Sequence, residues 1–287
     1  MLRTPAPLIG ALDGMRKVID SNMLRNPVLG AWLRRSESNV AVLTDYLAME
    51  ALKGNALVGA RKSMEILAGF PEQVAILKST TIVCGLPGVS RGMQRRMIDH
   101  RQTNGFRQYC DALYLTDNRV SHIDRQLADL AETAREHFER VAENTESVRS
   151  AGLEIATGFS PAERSVIRSA PAWPYAIHRR FVSELLDLSR RLFESHPAVR
   201  RPPNPFEFLN TYLLRSALVS LLLAFEYADD GGLPNRATHR LVNDLADTHF
   251  ATYATFFDGL ITEDKRTLRL YRGAQNALSA ITKGARG

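Results

Sequence analysis

HRLVNDLADTHFATYATFFDGLITEDKRTLRLY, residues His239 to Tyr271, is the stretch on which the reading of the fold turns. It opens as an amphipathic helix, with Leu241, Leu245, Phe250 and Tyr253 at roughly helical spacing. Asp244 and Asp247 are three residues apart, so one helical face presents both carboxylates. After Phe256-Phe257 the run Gly259 to Thr262 suits one buried strand, and it ends in Glu263-Asp264-Lys265. A helix bearing acids, followed by a strand that delivers another acid at its C-terminal end, suits a divalent cation. Ligands in α/β folds gather outside the carboxyl ends of the parallel strands. The same residues also suit a surface helix and a solvated turn, because lone acids usually face solvent. On this stretch alone both readings stand.

Outward from it, at the other end of the chain, Met15 to Asn22 reads as a short strand that ends on Asp20. Asn26-Pro27 marks a turn and Val28 to Leu33 a brief helix. A second apolar run, Val40 to Thr44, leads into a helical pattern from Asp45 to a C-cap at Gly54. Thr44 or Asp45 can cap that helix, which gives Asp45 a structural explanation. Glu50, a turn further in, needs another. Asn55 to Phe70 reads as a further helix, and the β-branched run Thr80 to Cys84, ended by Gly85 and Pro87-Gly88, as a third strand.

Between these ends the chain reads as almost wholly helical. Arg91, Arg95, Arg96, Arg101 and Arg107 crowd the segment Ser90 to Tyr109. An apolar stripe at three- and four-residue spacing runs from Val120 to Val141. Ser160-Pro-Ala-Glu163 is a capping box, and Pro171 and Pro174 precede a helix from Tyr175 to Ser195. Arg200 to Pro205 is a rigid connector, Phe206 to Tyr227 the most apolar helix, and Asp229 to Gly232 a turn. A last helix is expected after Tyr271, running to Ile281, with a frayed tail beyond it.

The 287 residues carry a formal net charge of +6 with 45% hydrophobic residues, which bounds the chain to one large domain or two small ones and argues against disorder. The basic balance favours an anionic partner, nucleic acid first. Cys84 and Cys110 are the only cysteines, so no disulfide framework exists and a reducing compartment fits. Histidines are scattered without zinc-ligand spacing, and neither a Ser–His–Asp or Cys–His arrangement nor a Gly-rich phosphate loop is visible. The N-terminus lacks the apolar core of a signal peptide, and Leu218 to Phe225 is too short to span a bilayer. A soluble, cytoplasmic protein with no membrane partner is expected.

Taken in order, these pieces resemble the PIN-domain nuclease family. A strand ending in Asp20-Ser21-Asn22 resembles its opening motif. The strand and helix from Thr44 through Glu50 look like the second, and Asp247 followed by Thr262-Glu263-Asp264 is similar to the third and fourth. The likeness covers roughly residues 15–56 and 238–272. It implies an α/β fold with a PIN-like central parallel sheet flanked by helices. Residues 1–86 and 236–287 would form the two parts of that core, and residues 87–235 a large all-helical insertion. The insertion departs from compact PIN domains, which place only a modest helical segment there.

The resemblance implies catalytic, metal-binding acids at Asp20, Glu50, Asp247 and Asp264, with Asp244 as a supplementary ligand, and Mg²⁺ or Mn²⁺ as cofactor. Asp20 and Asp264 would be the inner ligands, and Ser21, Asn22 and Thr262 would hydrogen-bond an acid or a phosphate. It further implies a metal-dependent ribonuclease, an endonuclease acting on RNA ahead of DNA, with a homo-oligomer or an inhibitor protein as further partners. The pairs Arg179-Arg180 and Arg190-Arg191 suit either a nucleic-acid backbone or ordinary helix-surface salt bridges. The competing readings are a non-catalytic, helix-rich binding scaffold on the same core and a metal phosphatase acting on a small molecule.

Overall fold

Four short parallel strands form one sheet in the order β3-β2-β1-β4, where β1 is Arg16–Ile19, β2 Val40–Leu43, β3 Val74–Ile76 and β4 Leu260–Ile261. The computed structural model describes residues 14–52, 55–113, 120–199, 203–205, 207–231 and 238–284. The N-terminal segment, the cap expected at Gly54, the start of the connector at 200–202, the end of the turn at Gly232 and the tail from 285 lie outside them.

Each early element has a local cause. Helix α1 (Pro27–Arg34) starts with proline at a position that needs no N–H, and the Asn26 side chain accepts from Val28 N at 2.9 Å. Helix α2 (Asp45–Ala51) is capped by Thr44, whose Oγ1 accepts from Leu47 N at 3.1 Å. Helix α3 (Ala56–Ala68) is capped in the same way by Asn55. Parallel neighbours need crossovers; α1 joins β1 to β2, and α2 and α3 join β2 to β3.

One expectation is corrected here. Thr80 to Cys84 is not a strand but a helix, α4 (Thr80–Cys84), and the third strand is Val74–Ile76. The cause is tertiary. The Asp45 carboxylate accepts from the Thr80 amide at 2.6 Å and from its hydroxyl at 2.8 Å, satisfying a first-turn donor from another element. Local β-propensity yields to that contact. Asp45 is therefore structural at two helix starts, since beside Thr80 it accepts from Tyr46 N at 3.0 Å in its own helix, while Thr44 takes the N-cap position there.

The chain then runs through α5 (Met93–Met97), α6 (His100–Leu113), α7 (Val120–Thr157), α8 (Pro161–Ser169) and α9 (Tyr175–Ser195) to α10 (Tyr212–Asp229). It returns through α11 (Thr238–Ala254), β4 and α12 (Lys265–Gly284). The stripe expected from Val120 to Val141 belongs to a helix of 38 residues, and the capping box at Ser160 and Glu163 has both of its hydrogen bonds. Helix α12 begins earlier than expected because Asp264 caps it: Asp264 Oδ1 accepts from Thr267 N at 2.7 Å.

Helix α10 is the centre of the packing, as its composition leads one to expect. It touches α7, α9, α11 and α12, and its apolar side chains from Leu213 to Phe225 are almost all buried. The hydrophobic cluster is continuous from Val18 and Val42 in the sheet to Leu221 and Ala277 in the helices. The architecture is thus mostly helical around a small parallel sheet. Among the described residues no helix is long and apolar enough to cross a membrane.

Candidate functional site

The strand order places a site before any side chain is considered. From β1 the chain steps outward on one side to β2 and β3, and β4 returns on the other side of β1. Such a reversal opens a crevice beyond the carboxyl ends of β1 and β4. Ile19 pairs with Ile261, and Asp20 N donates to Ile261 O at 3.0 Å. The two chains therefore leave the sheet side by side into that crevice. Gly259, at φ +138, turns the chain into β4 in a conformation that favours glycine.

Asp20 is only 2% exposed. Its Oδ2 accepts from Asn22 Nδ2 at 2.9 Å and from Thr262 Oγ1 at 2.5 Å. The same Thr262 oxygen accepts from Asp264 N at 2.9 Å. One hydroxyl thus ties the acid after β1 to the acid after β4. Burial pushes the Asp20 carboxyl above its ordinary value, and the charges of Glu50 and Asp264 add to that, against the Thr262 and Ser21 hydrogen bonds.

Asp247 approaches from α11, which packs on both β1 and β4. It is half-buried and makes no hydrogen bond or ion pair among the described residues. Its carboxyl is pushed up to about 8, first by burial and then by the charges of Asp20, Asp264, Glu50 and Asp244. The other four acids of the expected set therefore all bear on Asp247. Glu50 is half-buried in the last turn of α2, and it lines a pocket of about 300 Å³ with Ser21, Asn22, Arg25 and Ser63.

Asp244 belongs to the same neighbourhood but is held differently. Its Oδ2 accepts from the Tyr227 hydroxyl at 2.6 Å, and its Oδ1 pairs with Arg266 Nη1 at 3.0 Å. Arg266 also reaches Glu226 at 3.2 Å, and Arg269 reaches Glu226 at 3.1 Å. Asp264 has a partial structural explanation as well, since one of its oxygens caps α12. Among the described residues, no three His, Cys, Asp or Glu side chains are grouped as a ready ligand set for a metal ion.

Reading the sequence missed Arg25, Arg266 and Tyr227. Arg25 is a single exposed arginine whose Nη2 donates, among the described residues, to Ser63 Oγ at 3.4 Å. Nothing in its local sequence marks it; its meaning comes from the Glu50 pocket. For the arginine pairs, salt bridging accounts for one member of each: Arg180 pairs with Glu163 at 2.8 Å and Arg190 with Asp187.

Comparison with protein-family models, with curated proteins and with solved structures finds no match.

Proposed function

We propose that this protein is a metal-dependent nuclease, an endoribonuclease, whose active centre is Asp20, Glu50, Asp247 and Asp264. One observation carries the reading. Asp247 is a half-buried acid without hydrogen-bond or ion-pair partner among the described residues, and the charges of Asp20, Asp264, Glu50 and Asp244 bear on it beside the crevice where the strand order reverses. With its proton held up to about 8, ionising this acid near neutral pH calls for a positive partner that no described side chain supplies. Oxygen donors alone suit Mg²⁺ or Mn²⁺ rather than a softer ion. Bound there, such an ion would activate a water and neutralise charge on the leaving oxygen of a phosphodiester.

The chain's own part is positional. Thr262 and Asn22 hold Asp20 with its oxygens turned into the crevice's hydrogen-bond network, and Thr267 fixes one oxygen of Asp264. Asp244, clamped by Arg266 and Tyr227, adds negative potential rather than a free ligand. Arg25, beside Glu50 and without a carboxylate partner among the described residues, suits a substrate phosphate. RNA stands ahead of DNA on the strength of the PIN-like motifs.

The test is cleavage of a labelled single-stranded RNA by the purified chain with Mg²⁺ or Mn²⁺ and with excess chelator. Cleavage that needs the cation and disappears in Asp20→Asn supports the reading; undiminished cleavage in chelator contradicts it. A second reading, a non-catalytic binding scaffold, draws support from the lack of a ready three-residue ligand set. Cation-independent RNA binding without cleavage would favour it.

A further inference from the structure

At the opposite end of the sheet from the acids lies a pocket of about 360 Å³. Arg16, which lines it, is the first residue of β1, and Asp20 follows that strand's last. At about 3.3 Å per residue, roughly 13 Å of strand separates them. Arg95 and Arg215 also line the pocket, with Gln94, Asn210 and Phe256, and no Asp or Glu does among the described residues.

Arg215 sits in a frame of neutral acceptors. Its Nε donates to Leu209 O at 2.9 Å, its Nη1 to Thr255 O at 2.5 Å and Thr255 Oγ1 at 3.2 Å, and its Nη2 to Asn210 Oδ1 at 2.9 Å. Its guanidinium lies 3.9 Å over the Phe256 ring. A guanidinium has five N–H donors, so at least one, on Nη2, is left over. Arg16 Nη1 donates to Gln94 Oε1 at 3.2 Å, and Gln94 in turn donates to Phe256 O at 2.9 Å. Arg95 is exposed and has no partner among the described residues. Among the described residues, the carboxylate bonded to these arginines, that of Asp258, takes the main-chain N–H of Arg16 at 2.7 Å, not a guanidinium.

Hydrogen bonds to neutral acceptors hold four of the five Arg215 donors but do not offset its charge. Burial accordingly pushes that guanidinium down to about 10, with no nearby acid to hold it up. A fastening role explains the bonds of Arg215, yet it leaves unexplained why two more arginines face the same cavity without an acid. Three like charges around one cavity call for a multiply charged anion. A phosphate monoester carries about −1.5 to −2 at neutral pH, an internal phosphodiester only one charge, and arginine forks match phosphate oxygens. The volume is that of a small-molecule site and leaves room beyond the phosphate itself.

We propose that this pocket binds a terminal phosphate monoester, carried either by a free phosphorylated small molecule or by the end of a nucleic-acid strand. The site is independent of the acidic centre and of the nuclease reading.

The experiment uses the full chain in excess chelator, which leaves the acidic centre without cation. Calorimetric titrations with adenosine 5′-monophosphate and with adenosine are set beside anisotropy of a short single-stranded RNA bearing either a 5′-phosphate or a 5′-hydroxyl. The expected result is binding that requires the phosphate and weakens about tenfold or more in Arg95→Ala and in Arg16→Gln, as for one lost charge-assisted contact. Arg95 is exposed, so its variant is expected to melt with the wild type, whereas loss of Arg215 also removes structural bonds. Binding of the mononucleotide alone assigns a small molecule, binding of the phosphorylated RNA alone a strand end, and binding of both the shared phosphate. No binding of either, equal binding of the unphosphorylated partners, or affinities unchanged in both variants would overturn the proposal.

Discussion

Asp244 and Asp247 stand one turn apart on α11, and their surroundings are opposite. Asp244 belongs to a network in which every carboxylate meets a cation or a hydroxyl: Arg266 and Tyr227 at Asp244, Arg266 and Arg269 at Glu226. With Asp230 3.9 Å from Arg266, each carboxylate of the network lies within ion-pair reach of a guanidinium. Asp247 instead bears the charges of Asp20, Glu50 and Asp264, where hydroxyls and amides hold two of the acids and no guanidinium or ammonium pairs with Asp20, Asp247 or Asp264 among the described residues. A fold needs only the first kind of arrangement. Negative charge gathered without a counter-charge costs stability, and that cost is intelligible where a cation is meant to enter.

This contrast can be broken at four places. The largest effect is expected from Arg266→Met, which strips the network of its central cation and leaves Asp244 and Glu226 facing each other in a buried setting. Loss of one partner of a buried ionic set costs about 3–5 kcal/mol, so the urea midpoint should fall steeply, and further as the pH is raised.

Next comes Asp247→Asn, with the opposite sign. The unfolded chain releases this proton near the ordinary aspartate value of about 4, the folded chain at about 8. Between these limits the folded state holds the extra proton. The stability from this group is therefore complete below pH 4 and is lost as the pH rises to 8. Without metal, the variant should be more stable than wild type at pH 8 by about 1–2 kcal/mol, allowing for solvent screening. Paired melts from pH 5 to 8 check it, and parallel pH profiles would remove the electrostatic argument.

Smaller still is Thr262→Val, which removes the hydroxyl shared by Asp20 and Asp264. About 1 kcal/mol should be lost, and the Asp20 carboxyl should rise further, a shift readable by carboxyl-carbon NMR. The smallest effect serves as the control. Arg190→Ala breaks an exposed pair with Asp187 and should cost less than about 0.5 kcal/mol in the same melts.

The two regions also differ in how far the sequence discloses them. Asp20 and Asp264 were legible because each ends a short apolar run, and parallel strands bring such ends together. The helices at Ser160 and Tyr175 were legible because their starting signals, a capping box and a proline, are local. Strand β3 was hidden because Val74–Ile76 is only three residues long. Thr80–Cys84 misled because its cap comes from Asp45, on another element. The clamp on Asp244 was invisible for the same reason: Tyr227 and Arg266 arrive from α10 and α12, and no spacing along α11 announces them. The arginine pocket is the extreme case, assembled from the start of β1, from α5 and from α10. Local signals reveal which acids end strands, and only the packing reveals which of them have partners.

The central claim, that the acids around Asp247 form a cation site, is tested most directly by four thermal melts at pH 8: wild type and Asp247→Asn, each with and without Mg²⁺. A ligand that binds only the folded chain stabilises it by mass action, about 2.7 kcal/mol at a hundred times its dissociation constant. The account predicts that Mg²⁺ raises the wild-type midpoint clearly and the variant's much less, and that without metal the variant melts at or above the wild type. Equal shifts in both proteins, with the metal-free variant melting well below wild type, would contradict it and leave Asp247 a structural residue.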